Sequence, residues 1–96
     1  MMIIMTKSKY SDRRDKNELE IVKEFERLGY HVIRMGRTAG FDLLVIGKGK
    51  VYIVECKNPE GFHFTKAEED LQLECESRGV AYHIVLYVNQ IAEVVS

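Results

Sequence analysis

The chain has 96 residues, 46% of them hydrophobic and 30% charged, with a formal net charge of −1. That balance supplies apolar material for one modest core and excludes a disordered chain. No apolar stretch approaches the roughly 20 residues that cross a bilayer, and Met1-Met2-Ile3-Ile4-Met5 is too short for a signal-peptide core.

A cytoplasmic protein without membrane contact is therefore expected. Cys56 and Cys75 form no disulfide framework, and His31, His63 and His83 lack metal-ligand spacing. Charge is unevenly spread. Residues 1–37 carry a balance of +3 and residues 38–96 a balance of −4. Lys7, Lys9, Arg13, Arg14 and Lys16 precede the first expected helix. Residues 1–13 are expected to be a basic flexible arm, a phosphate-contacting segment or a solvated tail, and residues 14–96 a single domain.

In chain order, Asp15 to about Leu28 places Leu19, Val22, Phe25 and Leu28 at helical spacing, widened by Ile21, and Gly29 stops the helix. Tyr30-His31-Val32-Ile33-Arg34 is a first strand, and Gly36 to Gly40 a loop. Phe41 to Ile46 and Val51 to Val54 are two strands joined by the short turn Gly47-Lys48-Gly49-Lys50. Asn58-Pro59-Glu60-Gly61 is a turn cluster. Thr65 opens a second helix with Ala67, Leu71 and Cys75 on one face, ending near Gly79. Thr65 and Glu68 have the spacing of a capping box. Ala81 to Tyr87 is a fourth strand, and Asn89 is a candidate cap for a last short turn through Ile91 and Val94. A strand–helix–strand crossover implies that the third and fourth strands run parallel.

The chemistry-bearing residues cluster on the hairpin. Asp42 opens the second strand, and Glu55-Cys56-Lys57 closes the third. Side chains alternate along a strand, so Glu55 and Lys57 share a face with Val51 and Ile53, taken as the apolar side. Pairing of the hairpin brings Asp42 near Glu55. Two carboxylates and an ammonium at one end of a sheet can hold a hard divalent cation beside a phosphate. Alternatively, these are polar residues at a frayed strand end and a turn. Glu18, spaced four and seven residues before Val22 and Phe25, lies on the buried stripe of the first helix, whereas Glu20 and Glu24 lie nearer solvent. Arg34, Arg37 and Thr38 lie near Asp42 as candidate phosphate contacts, or as plain surface groups. Tyr52, Tyr82 and Tyr87 are taken as core or interface residues.

The order α-β-β-β-α-β, with an acid opening the second strand and E-x-K closing the third, resembles the PD-(D/E)xK nuclease core. Gly40-Phe41-Asp42-Leu43-Leu44, Val54-Glu55-Cys56-Lys57 and the helix from Thr65 to Gly79 look like a stand-alone VRR-NUC domain, a group similar to archaeal-type Holliday junction resolvases. The resemblance spans about residues 17–88. It implies a restriction-endonuclease-like α/β fold, a four-stranded mixed sheet flanked by helices. It also implies metal ligation by Asp42, Glu55 and the Cys56 carbonyl, with Glu18 as the helix carboxylate and Lys57 as the catalytic lysine. Phe41 stands where the family usually has Pro, and Glu68 where it commonly has Gln.

The expected function is a Mg²⁺- or Mn²⁺-dependent endonuclease on branched or structured DNA, acting as a homodimer. The alternatives are a nuclease on flap, splayed-arm or duplex DNA without junction preference, and a catalytically silent DNA-binding module. Small free-standing domains of this kind resemble phage-encoded nucleases.

Overall fold

A computed structural model describes residues 17–96. The expected element order holds: α1 (Asn17–Arg27), β1 (His31–Arg34), β2 (Leu43–Gly47), β3 (Lys50–Cys56), α2 (Lys66–Ser77) and β4 (Tyr82–Val85). Short 3-10 turns cover Arg37–Ala39 and Val88–Gln90, and a final turn of helix, α3, covers Ile91–Val94. The four strands form one sheet in the order β1-β2-β3-β4. The first two pairings are antiparallel and β3 lies parallel to β4, so the sheet is mixed. Among the described residues no helix is long and apolar enough to cross a membrane.

The β2–β3 hairpin closes where the sequence places its turn. Lys48 and Gly49 both take positive φ, 54° and 79°. This pair of left-handed residues matches the natural twist of a two-stranded ribbon. The resulting register sets Leu43 opposite Val54, so the next pair outward is Asp42 and Glu55. The Asp42 N–H donates to the Val54 carbonyl at 3.1 Å, which carries the pairing past the formal end of β2.

Strand alternation divides the buried side chains between two faces. Val45, Val54, Cys56 and Val85 point toward α1 and α3 and meet Ile21, Val22, Phe25 and Ile91 in the main core. The other face carries Ile33, Leu44, Ile46, Val51, Ile53 and Tyr82, and α2 packs over part of it. Glu55 belongs to this second face. The deeper core thus lies on the side opposite to the expected one, and Val51 is 62% exposed. The cause is the position of α1: its stripe of Ile21, Val22 and Phe25 covers the even-numbered residues of β3.

Leu19 also departs from expectation. It is 49% exposed, and Glu18 takes the buried place on the stripe, at 1%. Residues 18, 21, 22 and 25 form one helical face, and Leu19 falls just outside it. Gln90 rather than Asn89 stands at the cap position of the last turn, but its side chain braces the start of the preceding 3-10 turn instead. Its Oε1 accepts from Leu86 N at 2.7 Å and Tyr87 N at 3.0 Å.

Two local features fix the end of the sheet where the site lies. Gly40 has φ 88°, and a Cβ there would sit 2.8 Å from the Ala67 carbonyl oxygen. Only glycine lets the chain turn into Asp42 this close beneath α2. The Tyr82 hydroxyl donates to the Gly40 carbonyl at 2.7 Å and braces the same corner. On the other face, the Asn17 side-chain amide donates to the carbonyls of Lys57, at 3.0 Å, and Leu86, at 2.9 Å. The first residue of α1 thereby ties together the ends of β3 and β4, just beyond their last ladder pair, Cys56 and Val85.

Candidate active site

A cavity of about 300 Å³ opens at this end of the sheet, with Glu18, Asp42, Glu55, Cys56, Lys57 and Glu68 in its wall. They reach it from four parts of the fold. Asp42 lies where the chain enters β2, Glu55 and Lys57 at the end of β3, Glu18 in the first turn of α1 and Glu68 in the first turn of α2. Four carboxylates against two cations in the wall, Lys57 and Arg37, make an acid-rich pocket.

Glu55 is 1% exposed, and its Oε1 is buried without a hydrogen-bond partner. Its Oε2 lies 3.1 Å from Lys57 Nζ. Burial first, then the neighbouring Asp42 and Glu68 carboxylates, pushes the Glu55 carboxyl up to about 9, against the opposing pull of Lys57. In the metal-free fold this balance favours the protonated form of Glu55. A buried carboxylate does not ionise cheaply beside two half-buried ones without more positive charge close by than Lys57 supplies.

Lys57 Nζ also donates to Glu68 Oε1 at 2.8 Å and stands 5.0 Å from the centre of the Phe64 ring. Burial lowers its pKa, but hydrogen bonds to Glu68 and Glu55 outweigh this, so the net shift is upward and the ammonium stays charged. Asp42 Oδ2 accepts from the Cys56 N–H at 2.8 Å, which orients the carboxylate across the hairpin. Glu18 Oε2 accepts from Arg34 Nε at 2.9 Å. Among the described residues no group of three or more His, Cys, Asp or Glu side chains could hold a metal ion as arranged.

The expected residues thus divide into three groups. Asp42, Glu55, Cys56, Lys57 and Glu18 come together around one cavity, and Arg37 joins its wall. Arg34 stands beside Glu18 as an ion-pair partner, and Thr38 is exposed on the 3-10 turn and does not line the cavity. Arg13 and Arg14 lie outside the described residues.

Glu68 is the residue that sequence reasoning undervalued. The expected capping box is present: Glu68 N donates to Thr65 Oγ1 at 3.2 Å, and Thr65 N donates to Glu68 Oε1 at 3.0 Å. The same Oε1 accepts from Lys57, so the cap residue is also part of the site. Its pKa is lowered: burial pushes it up, but hydrogen bonds from Lys57 and the Thr65 backbone outweigh that, and the carboxylate is ionised. The only hint in the sequence was its position where a polar residue of the resembling families stands.

No curated protein and no solved structure matched the chain. The nuclease-related domain (NERD) family matches residues 9–95, beginning inside the expected basic arm. That match is coarser than the VRR-NUC and junction-resolvase resemblance of the motifs. Spanning nearly the whole sequence, it makes the chain a member of the nuclease-related domain family.

Proposed function

We propose that this nuclease domain is a Mg²⁺- or Mn²⁺-dependent endonuclease that hydrolyses phosphodiester bonds in branched or structured DNA. The observation that carries the reading is Glu55: a buried carboxyl with an unpartnered oxygen, held beside Asp42 in a pocket with more carboxylates than cations. The donor atoms available there are oxygens, the chemistry that suits a hard divalent ion. Asp42, Glu55 and the Cys56 carbonyl would hold it, and Glu18, now paired with Arg34, would join as a further carboxylate only by a side-chain rearrangement. When bound, such an ion acts as a Lewis acid on the phosphate and lowers the pKa of a water.

The chain's own residues do the rest. Lys57 keeps its charge and offers Nζ to the phosphate or to the attacking water. Glu68 and Phe64 hold that ammonium in place from the side of α2. The Cys56 N–H fixes the rotamer of Asp42. Arg37, in the cavity wall, is a candidate for a flanking phosphate. DNA shape and backbone contacts, rather than a long base sequence, are the proposed basis of selectivity. The proposed homodimer would use the apolar face that α2 leaves bare, where Ile33, Ile46 and Val51 are exposed.

Nicking of supercoiled plasmid with Mg²⁺, with EDTA and with the Glu55→Gln variant tests the reaction. Metal-dependent nicking that the variant lacks supports the reading, and metal-independent or Glu55-independent nicking overturns it. Junction, flap and duplex substrates compared at equal concentration then rank the substrate class.

A further inference from the structure

The loop between β3 and α2 carries two aromatic rings that the reaction chemistry leaves unused. Phe62 is 46% exposed, yet it lines the same cavity as Glu55 and Lys57. It is not a loose surface ring. Phe64 meets it edge to face, with ring centres 5.5 Å apart and planes at 81°. Phe64 in turn lies under the Lys57 ammonium. A continuous chain of packed groups therefore runs from the site's cation through Phe64 to Phe62, and it sets the outer ring at a fixed place beside the reacting pocket. Phe41 and Met35 add apolar surface to the cavity wall.

A floor of carboxylates that would hold a divalent cation, with Lys57 beside it and an exposed aromatic ring at the rim, suits one kind of ligand part: a planar, apolar-faced group joined to a phosphate. A nucleotide is such a group. We infer that Phe62 is a stacking platform for an unpaired nucleobase of DNA next to the bond to be cut. Bases in a continuous duplex are already stacked on both faces, so the platform rewards only a nucleotide that has left the stack. Phe62 would thereby select single-stranded, flap or branch-point positions over intact duplex. Because every base presents a π-face, the preference is for structure and not for sequence. The inference rests on the cavity being the place where phosphodiester is cleaved.

Binding of the full chain to a single-stranded oligonucleotide and to the matching duplex, measured by anisotropy with Ca²⁺ in place of Mg²⁺, tests it. A 2-aminopurine placed in the strand reports stacking by its fluorescence. Phe62→Ala should weaken single-strand binding by roughly 5- to 150-fold, the range of one aromatic–base stack, and leave duplex binding within about two-fold. Phe62→Trp should keep both the affinity and the 2-aminopurine quenching, which shows that ring stacking and not folding is read. Unchanged single-strand affinity in Phe62→Ala, or an equal loss on both DNAs, refutes the platform. The two readings separate cleanly. Loss of nicking in Glu55→Gln with a silent Phe62→Ala leaves a nuclease without the platform. Phe62-dependent quenching with no nicking in any preparation leaves the platform without the nuclease.

Discussion

Replacing Glu55 with Gln should stabilise the metal-free protein at alkaline pH while removing the proposed activity. Glu55 has an ordinary value of 4.5 and about 9 in the fold. Between those values the folded protein holds a proton that the unfolded chain has lost, so its stability falls as pH rises. The contribution is complete below 4.5 and gone above about 9.

Each unit of separation corresponds to about 1.4 kcal/mol, which sets a ceiling of about 6 kcal/mol. Relaxation around Lys57 and water entry reduce this, and about 2 kcal/mol is the expected effect at pH 8 or so. Gln keeps the volume and the carbonyl oxygen that faces Lys57, and it has no charge to bury. For a domain of this size about 2 kcal/mol corresponds to a rise of roughly 10 °C in Tm.

Up to about pH 9 the other resolved shifts do not imitate this slope: Lys57, Lys66 and Tyr82 are raised too, but they lower stability only above their ordinary values of 10.5, 10.5 and 10.0. Glu68 is lowered, so its contribution is present above 4.5 and lost on acidification. Burial lowers His83, which weakens the fold only below its usual value of 6.5. Tm measured calorimetrically at half-unit pH steps in EDTA should therefore fall for wild type between pH 6.5 and 9 and run nearly flat over that range for Glu55→Gln. Parallel curves for the two proteins would show that Glu55 is ionised in the fold and that the crowding argument is wrong.

Divalent metal binding should release close to one proton at neutral pH, because Glu55 must ionise to ligate; calorimetric titration in buffers of different ionisation enthalpy reads this directly. Lys57→Ala should abolish cleavage and leave Glu55 and Glu68 facing each other without a cation, at a cost of about 3 kcal/mol by urea denaturation. Gly40→Ala should cost at least about 1 kcal/mol, since it adds a Cβ 2.8 Å from the Ala67 carbonyl oxygen at φ 88°, and should lower cleavage by displacing Asp42. Glu18→Gln should raise the Mn²⁺ concentration needed for cleavage, whereas Glu20→Gln and Glu24→Gln should not; the reverse result moves the helix carboxylate elsewhere. Deleting residues 1–13 should weaken DNA binding and reduce its salt slope by roughly one for each phosphate the arm neutralises.

The parts of this molecule visible in the sequence were those with a short-range signature. The hairpin followed from a glycine turn between two apolar runs, and its register then brought Asp42 to Glu55 without further assumption. Glu18 was singled out by the family resemblance, and helical spacing independently placed it on the buried stripe. The parts that were hidden depend on which elements pack together. Leu19 and Val51 look like core residues until α1 is seen to cover the opposite face of β3. Asn17 shows no motif, because its two acceptors are carbonyls 40 and 69 residues away. Glu68 was legible as a cap and illegible as a site residue, since one carboxylate can satisfy both roles only when α2 starts within reach of β3.

That double duty links the start of a helix to the occupancy of the pocket. Glu68 Oε1 balances the Thr65 backbone on one side against the Lys57 ammonium on the other. Under the proposed function, a phosphate that draws Lys57 toward itself would take from Glu68 its strongest charge partner and from the first turn of α2 part of what holds it closed. The helix start then behaves as a gauge of the site: amide exchange at Lys66 to Glu69 should change on binding, although those residues need touch no DNA. The same linkage restrains any attempt to improve the cap, because a substitution that grips Glu68 more tightly also changes how freely Lys57 can let it go.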